Sequence, residues 1–165
     1  MAVPDEVEAH VVSSVLKALR DGVAGVLPNI KVQEGGSLEP ADIGVEEALA
    51  YFPLSIDPGP TRRGAWKGAF TFQVTCLSKT AEARADKDAR RPWRLASIVR
   101  KILDKDVDVR DWALGGGSTT SLGTISIGKP EARYVSDRLT NERGEGVRSN
   151  VHQVVLTFRA FSAVS

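Results

Sequence analysis

The sequence predicts an α+β domain, a mostly antiparallel sheet with two main helices packed on one face, spanning residues 1–165 as a single unit. Three observations carry this expectation. Apolar residues recur every three to four positions near the N-terminus and again around residues 95–103, the period of a helix with one buried face. Two other stretches, 66–77 and 151–161, alternate apolar and polar residues, the period of a strand. Finally, a chain of 165 residues, 42% hydrophobic and 26% charged, can bury one core without cross-links and is short for two ordinary domains.

The elements follow in order. From Asp5 to Leu27, Val7, Val11, Val15, Leu19 and Val23 recur every four positions, and Val12, Leu16, Val26 and Leu27 widen the stripe, so one amphipathic helix is expected. Pro4 and Asp5 suit its start, Glu6 and Glu8 complement the positive end of the helix dipole, and Pro28-Asn29 ends it. Its many valines are poor helix formers, so packing must hold it. A short strand is expected over Ile30–Gln33, then a loop, Glu34-Gly35-Gly36-Ser37. Between Leu38 and Tyr51 the signals conflict: Glu46–Ala50 has helical propensity, whereas Phe52–Ile56 reads as extended. After the turn Asp57-Pro58-Gly59-Pro60, a long strand, Trp66–Leu77, places Phe70, Phe72, Val74 and Cys76 on one face and Thr71, Gln73 and Thr75 on the other.

A dense charged stretch, 79–91, precedes Pro92 and a second helix. There Leu95, Ile98, Val99, Ile102 and Leu103 form the apolar face, and Arg94, Arg100 and Lys101 lie opposite. Turn residues at Gly115–Thr120 open onto a strand around Thr124–Ile127 that continues past Pro130 to about Val135, with the proline marking an edge or a bulge. The charged connection Asp137–Arg148 leads into a last strand, Val151–Phe161, in which His152, Val154, Leu156, Phe158 and Ala160 share one phase. The polar connections 78–91, 111–122 and 137–148 are long for a compact domain and read as functional or as ordered by a partner.

Charge and cysteine content narrow the class. The net charge is +1, so no overall basic excess argues for nucleic acid. That value is a cancellation: residues 1–61 hold 3 basic and 10 acidic side chains (−7), residues 62–110 hold 13 and 6 (+7), and residues 111–165 hold 6 and 5 (+1). The lone Cys76 cannot form an intramolecular disulfide, and with only His10 and His152 the chain lacks the ligands of an ordinary structural zinc site. A reducing, intracellular setting is expected, with no membrane span and no signal peptide.

Catalytic patterns are sparse, and no cofactor is expected. Gly116-Gly117-Ser118-Thr119-Thr120 lacks the second glycine of a nucleophile elbow, and Gly115-Gly116-Gly117 lacks the lysine and hydroxyl of a phosphate loop, so a flexible loop is the better reading. Asp104, Asp106 and Asp108 alternate, but Val109 stands where a calcium-binding loop needs glycine and no later glutamate completes it; a solvated turn is expected. His10 and His152 read as boundary or core residues, and Cys76, mid-strand on an apolar face, as packed and inert. The remaining candidates are basic. Arg90, Arg91, Arg94, Arg100 and Lys101, with Trp93 among them, could form a cationic helix face, although neighbouring aspartates dilute it and no base-reading motif accompanies it. Arg138, Arg143 and Arg148 lie on a connection able to touch a phosphate backbone or a protein partner without any motif.

Several features together carry a resemblance to a known family. They are the N-terminal amphipathic helix Glu6–Leu27, the strand Gly68-Ala69-Phe70-Thr71-Phe72-Gln73-Val74-Thr75-Cys76, and a charged loop followed by the helix Trp93–Leu103. The last is a closing hairpin whose final strand reads Gln153-Val154-Val155-Leu156-Thr157-Phe158-Arg159-Ala160-Phe161. In this order of elements the chain resembles the tail terminator, or tail completion, proteins of long-tailed bacteriophages, the group that includes minor tail protein U of phage lambda. Segment 34–65 fits least well. The resemblance implies a structural virion protein with no reaction of its own. It would form a ring, typically a hexamer, that docks on the last ring of tail-tube protein, stops tube growth and presents the surface for joining the head. It would be assembled in the host cytoplasm and placed at the tail–neck junction, with possible non-specific contact with DNA in the lumen. On that footing Arg138, Arg143 and Arg148 are candidates for tube or lumen contact. Arg84, Lys87, Arg90, Arg91 and Arg94 are candidates for contact with a neighbouring subunit or a neck protein. Another neck or head-completion component shares size, ring assembly and absence of catalytic residues, and a small nucleic-acid-binding or enzymatic domain is the more distant alternative.

Overall fold

In the computed structural model of the chain, residues 7–34, 47–58, 66–81, 90–104, 107–109, 120–140 and 146–164 are described. They form helix α1 (Val7–Val26), strands β1 (Lys31–Glu34), β2 (Glu47–Pro58) and β3 (Trp66–Ala81), and helix α2 (Arg91–Leu103). Strands β4 (Val107–Val109), β5 (Thr120–Ile127), β6 (Glu131–Thr140) and β7 (Gly146–Val164) complete the order. One seven-stranded sheet runs β1-β2-β3-β7-β5-β4, and β6 also pairs with β7. Every pairing is antiparallel except β1 with β2, and the two helices pack on one face. This is the expected α+β fold.

The core forms where the two periodicities meet. Val11, Val15, Leu19 and Val23 of α1 and Leu95, Val99 and Leu103 of α2 are buried against Leu49 and Tyr51 of β2, Phe70, Phe72, Val74 and Cys76 of β3, and Val154, Leu156, Phe158 and Ala160 of β7. Phe72 is the hub: its ring centroid lies 5.1 Å from those of Phe70 and Phe158 and 5.6 Å from that of Tyr51. The Tyr51 hydroxyl donates to the Val12 carbonyl at 3.0 Å, tying β2 to α1. Removing each large apolar side chain from water stabilises the fold by roughly 1.5–3 kcal/mol, which offsets the poor helix propensity of the valines in α1.

Several sequence expectations need correction. The helical propensity of 46–50 is not taken up over residues 47–50, which begin β2, where Ala48 and Ala50 face one side of the sheet and Leu49 the other, paired between β1 and β3; Glu46 lies outside the described residues. Pairing on both edges outweighs a local preference of a few tenths of a kcal/mol per residue. Val26 does not widen the α1 stripe but is 58% exposed. β3 runs past Leu77 to Ala81, because its polar end still has β7 to pair with. Asp108, expected in a turn, lies on β4, a three-residue strand with too few positions to show an alternation. The strand expected to continue through Pro130 is broken at Gly128–Pro130 into β5 and β6, which lie in succession along the same edge of β7. Gly128 closes the break: its N–H donates to the Thr157 carbonyl at 2.7 Å, and a Cβ there would sit 3.4 Å from that oxygen.

Candidate interaction sites

The largest departure from the sequence reading falls on the connection Asp137–Arg148. Its two ends are strands. The β6–β7 ladder runs without a register shift from Glu131↔Val155 through Arg138↔Arg148 and Leu139↔Val147 to Thr140↔Gly146. On its other side β7 pairs with β3 through Ser149↔Ala81, the last residue described in β3. Arg138 and Arg148 occupy opposed register positions in the β6–β7 ladder. Arg143 lies outside the described residues.

A second basic region lies on α2. Arg90 and Arg94 are exposed one turn apart, with the Arg94 N–H donating to the Arg90 carbonyl at 3.1 Å, and Arg91 is half-buried. Arg84 and Lys87 lie outside the described residues. Arg100 and Lys101 continue the exposed side, and Trp93 between the first arginines is 45% exposed. The first turn of α2 holds no acidic residue, and Arg90 at the cap position makes no side-chain capping bond. Cations at the positive end of a helix dipole cost about 0.3–1 kcal/mol each when exposed, so the helix carries these arginines at some expense to itself. In the last turn Arg100 and Lys101 are favourably placed.

Two features escaped the sequence reading. On the helix-free face of the sheet an open depression of about 300 Å³ is lined by Ala50, Phe52, Leu54, Leu77 and Val155, with Gln73, Gln153 and Arg133 among them. Gln73 Nε2 donates to Thr157 Oγ1 at 3.3 Å on the same face. Its lining mixes an apolar row from β2 with polar and charged residues from β3, β6 and β7, which no motif search detects. The other feature is a polar row across the ladders, Glu47↔Ser78 and Ser78↔His152. It brings together an acid, a serine and an imidazole, but the serine stands in the middle, whereas proton relay to a nucleophile requires the imidazole there. Ser78 is also fully buried. The row has neither the order nor the access of a catalytic triad.

Cys76 is buried in the core, and desolvation pushes its thiol up to about 12. Burial, with a smaller push from the Glu34 carboxylate, likewise raises the Tyr51 phenol well above its ordinary range. Among the described residues no three His, Cys, Asp or Glu side chains gather as a metal site requires, and no helix is long and apolar enough to cross a membrane.

No protein-family model matches the chain. No curated protein matches it either. Among solved structures, one that carries no functional name is similar at 16% identity over 93% of this chain and 94% of its own, with a TM-score of 0.43. That likeness adds nothing to the fold described above and says nothing of function.

Proposed function

We propose that this chain is a structural subunit of the tail-terminator type. It assembles into a ring, typically of six copies, that caps a phage tail tube, stops its elongation and offers the surface to which the head is joined. The observation that carries the reading is the β6–β7 hairpin, whose ladder sets Arg138 opposite Arg148, on a two-helix α+β body. Its mechanism is binding alone. A ring needs a head-to-tail contact between two different faces of the subunit. The hairpin meets the tube or the lumen.

The first test is size-exclusion chromatography with light scattering, which should give a ring-sized oligomer, or a monomer that assembles when tail tubes are added. The second is electron microscopy of an infected-cell lysate lacking the protein, where overlong tails are expected. Normal-length tails beside unattached heads would assign the chain to the neck instead, and a strict monomer that ignores tubes would defeat the ring.

A further inference from the structure

We propose that the outward face of α2 binds the phosphodiester backbone of nucleic acid without reading its sequence. Arg90, Trp93, Arg94, Ser97, Arg100 and Lys101 fall three, four and seven positions apart, the spacing that sets residues on one side of a helix. All six are exposed, opposite the buried Pro92, Leu95, Ala96, Val99 and Leu103. No acidic residue occurs within α2. Arg90, Arg94, Arg100 and Lys101 have no ion-pair partner among the described residues. At 1.5 Å per residue the row from Arg90 to Lys101 is about 16 Å long.

The form of this row selects its partner. A line of unneutralised cations fits a linear polyanion. Among the described residues the acidic side chains, such as Glu8 and Asp21 on α1 and Glu34 on β1, lie on separate elements and form no matching line. Trp93 points the same way. An indole held among arginines is a stacking plate for an unpaired base, for which a carboxylate-bearing protein surface has no use. The Ser97 hydroxyl, which donates to the Trp93 carbonyl at 3.1 Å, sits between the two pairs of cations. The inference stands apart from ring formation, since it requires only the exposed side of one helix.

The test is fluorescence anisotropy with a labelled single strand and a labelled duplex, each of mixed sequence, titrated with the intact protein between 50 and 200 mM salt. If four cations displace counterions, log K falls against log salt with a slope of about −3.6 for the duplex and about −2.8 for the single strand. Over that salt range binding then weakens roughly 150-fold and 50-fold respectively. Arg94→Gln with Arg100→Gln, both at exposed positions and checked for an unchanged urea midpoint, should halve both slopes. Trp93→Phe should remove the tryptophan quenching seen with the single strand. Absence of binding at 50 mM salt overturns the proposal, as does a double variant with wild-type affinity and slope. Equal competition by polyglutamate of the same charge also overturns it and assigns the row to an acidic protein surface. Light scattering on the same samples reads ring formation separately, so failure of either idea is visible without the other.

Discussion

Substituting alanine at two glycines of α1 should move stability in opposite directions. Gly22 lies where α1 meets α2: a Cβ built on it would stand 2.5 Å from Ile102 Cγ2, 3.0 Å from Cγ1 and 3.2 Å from Cδ1. Carbon atoms prefer about 3.5–4.0 Å, so the closest contact overlaps by about an ångström. The crowded atom is the branch methyl of a β-branched residue, which cannot swing aside without leaving its preferred rotamer at about 0.5–1.5 kcal/mol. Moving the helices apart instead is overpacking, typically about 1–3 kcal/mol. Against this stands the helix-propensity gain of alanine over glycine, about 1 kcal/mol. Gly22→Ala should therefore destabilise by up to about 2 kcal/mol, the overpacking range less that gain. Gly25 has nothing within 4 Å of the corresponding Cβ and is exposed in the last turn, so Gly25→Ala should stabilise by roughly 0.5 kcal/mol, part of the interior propensity. Urea titrations followed by circular dichroism give both values, and a cycle with Ile102→Ala isolates the clash, which should vanish in the double variant. If Gly22→Ala gains as much as Gly25→Ala, the close approach of the two helices is wrong.

Other expectations can be measured on the same protein. Tyr51→Phe removes the bond to the Val12 carbonyl, which keeps its place in the helix ladder, so a loss of about 1 kcal/mol and a fall of about 2–4 °C in Tm are expected; no change would mean that the bond is not made. Both Tyr51 and Cys76 have their pKa raised by burial, so the folded state holds these protons after the unfolded chain has released them. Their contribution is complete below the unfolded values, about 8.5 for the thiol and about 10 for the phenol. It is lost above them at up to about 1.4 kcal/mol per pH unit for each group, for the thiol until about pH 12. Urea midpoints should therefore fall steeply between pH 9 and 10 in the parent and only slightly in Cys76→Ala, where the onset of the Tyr51 loss remains. Assembly resting on the −7 and +7 segments should weaken as salt rises, because exposed pairs are screened over about 8–10 Å near physiological ionic strength. A ring indifferent to salt would place its adhesion in apolar contacts.

Legibility in the sequence followed the strength of the periodic signal. The stripe Val11–Val15–Leu19–Val23 and the alternation Phe70–Phe72–Val74–Cys76 are long and regular, and they fall where expected, fully buried. β2 was ambiguous because Ala48, Leu49 and Ala50 are good helix formers that gain strand form only from neighbours on both sides, information absent from the segment itself. The hairpin ends Asp137–Thr140 and Gly146–Arg148 look like a loop because charged and small polar residues interrupt any alternation there, yet β6 and β7 keep their pairing through them. The candidate residues show the same division. The exposed side of α2 follows from helical spacing, whereas the opposition of Arg138 and Arg148 depends on register, which a run of polar residues does not encode.

β7 has a mechanical consequence. It pairs with β3 along one side and with β5 and β6 in succession along the other, and the β3 partnership alone runs unbroken from Trp66↔Val164 to Ala81↔Ser149. At about 3.4 Å per residue that ladder is a beam of roughly 50 Å, with its rungs perpendicular to its length. A pull along the hairpin loads those rungs in parallel, as shear, and cannot peel them one at a time. A load carried along the sheet passes through this one continuous strand, to which the break at Gly128–Pro130 is tied by the Gly128 N–H on the Thr157 carbonyl.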